Sequence, residues 1–169
     1  MSEPGPVVHW EAPPLDAGPA PGSEFAPHGP RLVAYILDSL LLGAILVLLG
    51  LVGLILLLPI LSAEGGDQLS PIAIVLLWAL LLVGILVSVL YFPFFWASGG
   101  QTPGMRPFRL YVVRDSDGTP IGWGSALLRM LGMYVASTVF YLGFAWILVD
   151  KRHRGWQDLI AGTVVIKRS

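Results

Sequence analysis

The chain of 169 residues contains no cysteine, which removes disulfides, thiolate metal ligands and cysteine nucleophiles and leaves the redox compartment undetermined. Charge is scarce: Asp, Glu, Lys and Arg make up 12% of the residues, about half the share usual for a soluble domain. The first 30 positions hold four acids (Glu3, Glu11, Asp16, Glu24) and no Lys or Arg, whereas the last 20 hold five Lys or Arg. The chain also lacks an HExxH pair, a Ser/His/Asp arrangement and paired carboxylates within an apolar segment. The glycine-rich stretch around Gly99, Gly100, Pro103 and Gly104 is without the Lys and following helix of a phosphate loop, and reads as a tight exit from a helix. His9 and His28 stand isolated and His153 lies in a basic run. These absences predict no enzyme, no metal site and no cofactor.

Hydrocarbon fills the space that charge leaves. The chain is 55% hydrophobic with a mean hydropathy of +0.75, the balance of a small integral membrane domain. Positions 39 to 63 carry no charge, and neither does the interval from Gln68 to Met105; at ~1.5 Å rise per residue each is enough helix to cross a ~30 Å apolar core. The pattern predicts an all-α integral membrane fold with spans at about 31–61 and 71–97 and a third apolar segment at about 125–149, following a tail. That tail, residues 1–30, has eight prolines and four glycines and no apolar period, the signature of a disordered segment; it also lacks the basic start and short apolar run of a secretory signal. Pro93 and the aromatic run YFPFFW are expected to kink or end the second span in a headgroup-level belt.

The loop SAEGGDQLSP has two acids and no base, while the stretch after the second span carries Arg106, Arg109 and Arg114. Under the positive-inside rule the loop faces outward, and the tail and the arginine stretch face the cytoplasm. The third segment is interrupted by Arg129, Gly132, Ser137, Thr138 and Gly143. A single crossing would put the KRHR cluster outside, against the charge rule, so a re-entrant or broken element is preferred. FRLYVV and TVVIK have β-type composition, and pairing of about 108–114 with 163–167 would satisfy both backbones in a small element at the cytoplasmic face.

Arg31, Tyr35 and Asp38 fall on one helical stripe. A carboxylate below the headgroups costs on the order of 3 kcal/mol or more unless it is compensated, and Arg129 is the leading candidate to do so, with Tyr35 as a bridge to Arg31. Three readings stand for Asp38: half of a structural pin, lining of a water-filled or ligand-binding cavity, and simple hydration at the interface. Asp158 either interacts with the amino end of its own short helix or latches the tail onto Arg31, Arg106 or Arg109. Lys151, Arg152 and Arg154 suit anionic lipid headgroups; nucleic acid is not an expected partner.

Arg31 and Asp38 in the first span, GQTPGMRPFRLYVVRDSDGTP with Gly100, Thr102, Gly104, Arg106 and Arg109, Arg129 in SALLRML, and WQDLIAGTVVI occur in that order. Together they resemble the RDD family of small bacterial membrane proteins, named for one arginine and two aspartates, over about residues 29–168. By that likeness Arg31, Asp38 and Asp158 take the three name positions, and Met105 stands where many members carry a base after TPG. The resemblance implies a multi-span domain in the bacterial inner membrane, of undefined molecular function, suggested to take part in transport of unidentified ligands. Two functions are expected from the residues. One is transport-related binding of a cation or proton at Asp38, which for so few spans suggests a homo-oligomer; the other is a non-transporting accessory subunit of a larger membrane complex.

Overall fold

The computed structural model describes residues 18–19, 22–63, 69–138, 150 and 154–168. Lys151, Arg152, His153, most of the tail, most of the loop between the first two apolar segments and positions 139–149 lie outside the described residues, and so does the end of the third apolar segment.

Two long helices dominate. Helix α1 spans His28–Ala63 and α2 spans Pro71–Gly99, and at 36 and 29 residues they extend about 54 and 43 Å. Both are long and apolar enough to cross a membrane. Their outward side chains are hydrocarbon all along, including Leu40, Val47, Leu48 and Ile55 on α1 and Ile72, Val75, Trp78 and Leu82 on α2; a helix apolar on every side is suited to lipid rather than to water. Helix α2 starts cleanly because the Ser70 hydroxyl accepts from the Ala73 N–H at 3.2 Å and Pro71 occupies the first turn. Of the two outcomes expected at Pro93, a kink or an end, the structure excludes the end. The proline is buried inside the helix, which runs on for six more residues and closes at Gly100 in the left-handed conformation, its N–H donating to the Trp96 carbonyl. A ring that costs one backbone hydrogen bond is tolerated where packing on both sides holds the helix.

The remaining elements gather at one end of this hairpin. Strand β1 is Ser23–Phe25, β2 is Leu110–Arg114 and β3 is Thr163–Arg168, in the antiparallel order β1-β3-β2. Val112 lies opposite Val165 and Leu110 opposite Lys167, so the pairing expected between FRLYVV and TVVIK forms. The sheet corrects the reading of residues 1–30 as wholly disordered. Ser23, Glu24 and Phe25 pair with Arg168, Lys167 and Ile166, which brings a stretch of that tail into the fold as an edge strand. Three residues are too short to show a strand period, and only β3 as a partner makes them one.

The period of two sorts the side chains. Leu110, Val112 and Val165 turn toward the helices and pack with Ala26, Ala34, Trp96, Met105, Ile121 and Ala126; Val113, Val164 and Ile166 form a second cluster on the other face with Phe25 and Tyr111 beside it. Helix α3, Trp123–Thr138, buries Ala126, Arg129, Gly132 and Ala136 on one stripe and exposes Leu127, Leu128, Leu131 and Tyr134 on the other. The short helix α4, Trp156–Ala161, packs on α3 and leads into β3.

One consequence is topological. Strand β1 precedes α1, β2 follows α2 and β3 ends the chain, yet all three share a sheet. The hairpin α1–α2 therefore returns the chain to the end it left, and so does the stretch from β2 to β3.

Leu110 is fully buried beneath the helices and Leu40 is two-thirds exposed. Leu110→Ala should cost about 2–5 kcal/mol through lost burial and a residual cavity, whereas Leu40→Ala should stay within about 0.5 kcal/mol. Denaturant midpoints in mild detergent, with slope unchanged, provide the comparison; equal midpoints for the two variants would contradict the sheet-based core.

Candidate functional site

Two buried carboxylates stand at the junction of the sheet and the helix hairpin, and the structure compensates them differently. Asp38, 2% exposed, is held by three uncharged donors. Tyr91 Oη donates at 3.0 Å, Thr102 Oγ1 at 2.5 Å and the Gly104 N–H at 2.8 Å. The last bond needs a residue without a side chain. A Cβ on Gly104 would stand 2.8 Å from Asp38 Cγ and collide with the Ala34 carbonyl, so glycine lets the TPG turn lie against α1. Thr102 and Gly104 belong to that turn, Asp38 to α1 and Tyr91 to α2, and the carboxylate thus ties three segments together.

Asp158 takes the cations. Fully buried, it accepts from Arg129 Nη1 on one oxygen and from the Gly155 N–H at 2.9 Å on the other, where Arg31 Nη1 also approaches to 3.7 Å. Arg129 Nη1 donates further to Thr163 Oγ1 at 2.7 Å, and its guanidinium lies 4.8 Å over the Trp96 ring, an attraction worth ~0.5–2 kcal/mol according to desolvation. Arg31 Nη2 donates to the Val165 carbonyl at 2.8 Å, so this arginine reads the backbone of the central strand. A second close approach places these groups. A Cβ on Gly132 would fall 2.7 Å from the Gln157 Cα, and that contact seats α4 against α3 so that Arg129, one turn before Gly132, meets Asp158, the residue after Gln157.

This arrangement corrects the pairing expected from sequence. Among the described residues Arg129 bonds Asp158 and not Asp38, and no cation pairs with Asp38. The reading of Asp158 as a latch to Arg31 agrees with the 3.7 Å approach; Arg106 and Arg109 are exposed elsewhere and do not reach it. Tyr35, expected as the bridge to Arg31, packs on α2 through its ring. It is 44% exposed and stacks on Phe92 with ring centroids 6.1 Å apart. The Gly100 carbonyl accepts from the Val112 N–H at 2.6 Å, carrying the helix exit into the sheet. Arg109 takes the left-handed conformation at φ 53 after the turn Arg106–Phe108. Arg154, expected at lipid headgroups, pairs with Asp150 and Asp115, and its pKa is raised, chiefly by the hydrogen bonds it donates to Asp150.

Both nodes face a cavity of about 580 Å³. Arg31, Asp38, Thr102, Arg129 and Gln157 give it polar walls, and Leu32, Tyr35, Phe92, Met105 and Met133 give it apolar ones. Sequence reasoning missed Tyr91, Trp96, Gln157 and Thr163. Tyr91 and Trp96 sit five apart in a run that reads as an interfacial aromatic belt, yet both are buried; the signal available was their proximity to Pro93 inside a helix that has to pack. No group of three or more His, Cys, Asp or Glu is placed to hold a metal among the described residues.

A helical hairpin apolar enough for a membrane, clasped at one end by a three-stranded sheet over an Arg/Asp/Asp junction, defines a membrane-type domain. The chain belongs to the RDD family, whose model matches residues 25–162. It is similar to a proline-rich antigen homolog of Mycobacterium tuberculosis, in two strains, at 26% identity over 100 residues. The match covers 59% of this chain and 42% of the relative, so it spans less than half of that protein's length. No solved structure matches the chain.

Removing the charge of Arg129 alone leaves Asp158 buried against a distant Arg31, and Arg129→Gln should destabilise by about 3–5 kcal/mol. Gly104→Ala should lower stability by about 1–3 kcal/mol through the clash with α1. Thermal midpoints in detergent check both; a neutral Gly104→Ala would mean that the TPG turn does not sit on α1.

Proposed function

We propose that the protein is a transport-related domain of the bacterial inner membrane in which Asp38 exchanges a proton or a small cation. The observation that carries this reading is the character of the Asp38 site: a buried carboxylate on the wall of a cavity, held by uncharged donors and paired with no arginine among the described residues. An ion pair such as Arg129–Asp158 fixes charge in place. A carboxylate held by two hydroxyls and one N–H can take up a proton, or a cation whose ligands include the same hydroxyl oxygens, without discarding a permanent partner. Ionisable groups at membrane depth commonly mark ion pathways.

The orientation proposed has the sheet, the N-terminal stretch and the C-terminal strand on the cytoplasmic side. The acid-only loop between α1 and α2 and the exposed Arg106, Arg109, Lys167 and Arg168 at the sheet end support it. That β2 and β3 share this sheet supports the re-entrant reading of the third apolar segment over a single crossing. Two crossings make a thin pathway, so a homo-oligomer completes the proposal.

The second reading, an accessory subunit without transport, draws on the completeness of the Asp38 hydrogen bonds, which also suit a permanent clamp. Flux separates the two. In vesicles with reconstituted protein, Asp38→Asn should abolish pH-dependent cation flux while the protein still folds, since an amide keeps the contacts to Tyr91 and Thr102 with hydroxyl protons rearranged. Flux that persists in Asp38→Asn rejects exchange at this residue, and a stoichiometric partner co-purifying in mild detergent then favours the accessory reading.

A further inference from the structure

The cavity beside Asp38 has a second wall with its own unmet chemistry. Trp96, Arg129 and Gln157 line it and are 3%, 4% and 5% exposed. Each holds a buried polar atom with no hydrogen-bond partner: the indole Nε1–H of Trp96, the Nε–H of Arg129 and Oε1 of Gln157. Native interiors leave few such atoms, because each costs about 1–3 kcal/mol. Three on one cavity wall, two of them donors stacked on each other through the cation–π contact, are relieved together by a ligand that brings an acceptor for the two N–H groups and a hydroxyl to donate to Gln157 Oε1.

The charge of that wall favours an anionic acceptor. Arg129 and Arg31 are two buried guanidiniums on it, and Asp158, behind the wall, meets one by direct hydrogen bond and the other at 3.7 Å; the carboxylate of Asp38, which also lines the cavity, directs its oxygens to Tyr91, Thr102 and Gly104. Away from this polar base the lining becomes hydrocarbon. Leu32 and Tyr35 of α1, both well exposed, belong to the cavity wall and to the outer apolar face of the helix at once. The cavity is thus polar at its base and continuous with the surface suited to lipid.

We propose that this cavity binds one anionic membrane lipid, its headgroup oxyanion accepting from Trp96 Nε1 and Arg129 Nε and its acyl chain leaving between Leu32, Tyr35 and Met133. The volume of about 580 Å³ is that of a ligand-sized pocket and takes a headgroup with the first part of a chain, the rest lying along the exposed face. Gln157 then contacts the headgroup as an acceptor toward its hydroxyls. The proposal is independent of ion exchange at Asp38.

The test is native mass spectrometry of the full chain taken from vesicles of equal phosphatidylglycerol and phosphatidylcholine. One phosphatidylglycerol should be retained per chain, with at least about tenfold preference over phosphatidylcholine. Trp96→Phe keeps the ring under Arg129 and deletes the N–H, and Gln157→Glu places a negative charge at the base; each should reduce that preference about tenfold, the effect of one charge-assisted hydrogen bond. Asp38→Asn should retain the lipid, so loss of flux in that variant and loss of lipid in the other two are separable results. Adding oleate distinguishes the source of the oxyanion: displacement of phosphatidylglycerol by oleate supports recognition of the anionic head on a chain, and displacement by inorganic phosphate at the same concentration overturns the lipid assignment. Equal retention of the two phospholipids by the wild-type chain, or unchanged preference in both Trp96→Phe and Gln157→Glu with the thermal midpoint intact, also overturns it.

Discussion

The fold depends on keeping a carboxylate dry. Asp158 is sealed from solvent on a six-residue helix, and an unpaired charge there would cost several kcal/mol. Its partners come from distant parts of the chain: Arg129 from α3, Arg31 from the start of α1, the Gly155 N–H from its own first turn. Arg31 adds the Val165 carbonyl of β3, and Arg129 adds Thr163 of the same strand and the face of Trp96 in α2. One carboxylate therefore gathers α1, α2, α3, its own α4 and the central strand. Such pairs add little net stability over a hydrocarbon core of equal volume; what this one fixes is registry, because a helix apolar on every side has little in its hydrocarbon surface to select one rotation.

Asp38 solves the same electrostatic problem with dipoles rather than charges. Its donors are a phenol, a hydroxyl and a backbone N–H, and the difference from Asp158 follows from position. The guanidiniums of Arg31 and Arg129 are committed to the sheet side of the junction by Val165 and Thr163. The TPG turn, brought against α1 by the bare backbone of Gly104, fills the place a cation would take. A permanent counter-ion and a set of neutral donors have opposite consequences for exchange, since only the second leaves the site's charge free to change.

The elements that carry local signals were legible in the sequence. Uncharged runs of helical length announce α1 and α2, and the β-branched character of LYVVR and TVVIKR announces the pair β2 and β3. The residues Arg31, Asp38, Arg129 and Asp158 were legible as costly in an apolar setting. Their pairing was not, because a one-dimensional reading sees that a buried charge needs a partner but not which of two carboxylates an arginine reaches. Gly132 decides it by seating α4 against α3, and a glycine in a helix carries that meaning only once the neighbour is known. Strand β1 was illegible for a related reason: its three residues have no period of their own and become a strand through β3. Tyr91 and Trp96 were hidden by their context, since aromatic side chains at the end of an apolar helix suit a headgroup belt as well as a core.

A sheet assembled from strands before, between and after the helices also limits what the helices are able to do. Its backbone bonds join the start of α1, the exit of α2 and the end of α4, so these ends cannot separate without breaking strand pairing. The far ends of α1 and α2 are under no such restraint among the described residues, and their contacts there are side chains of the kind that Gly53 makes with Leu80. Any rearrangement of the hairpin must then pivot about the sheet, next to the cavity that Asp38 and Arg129 share.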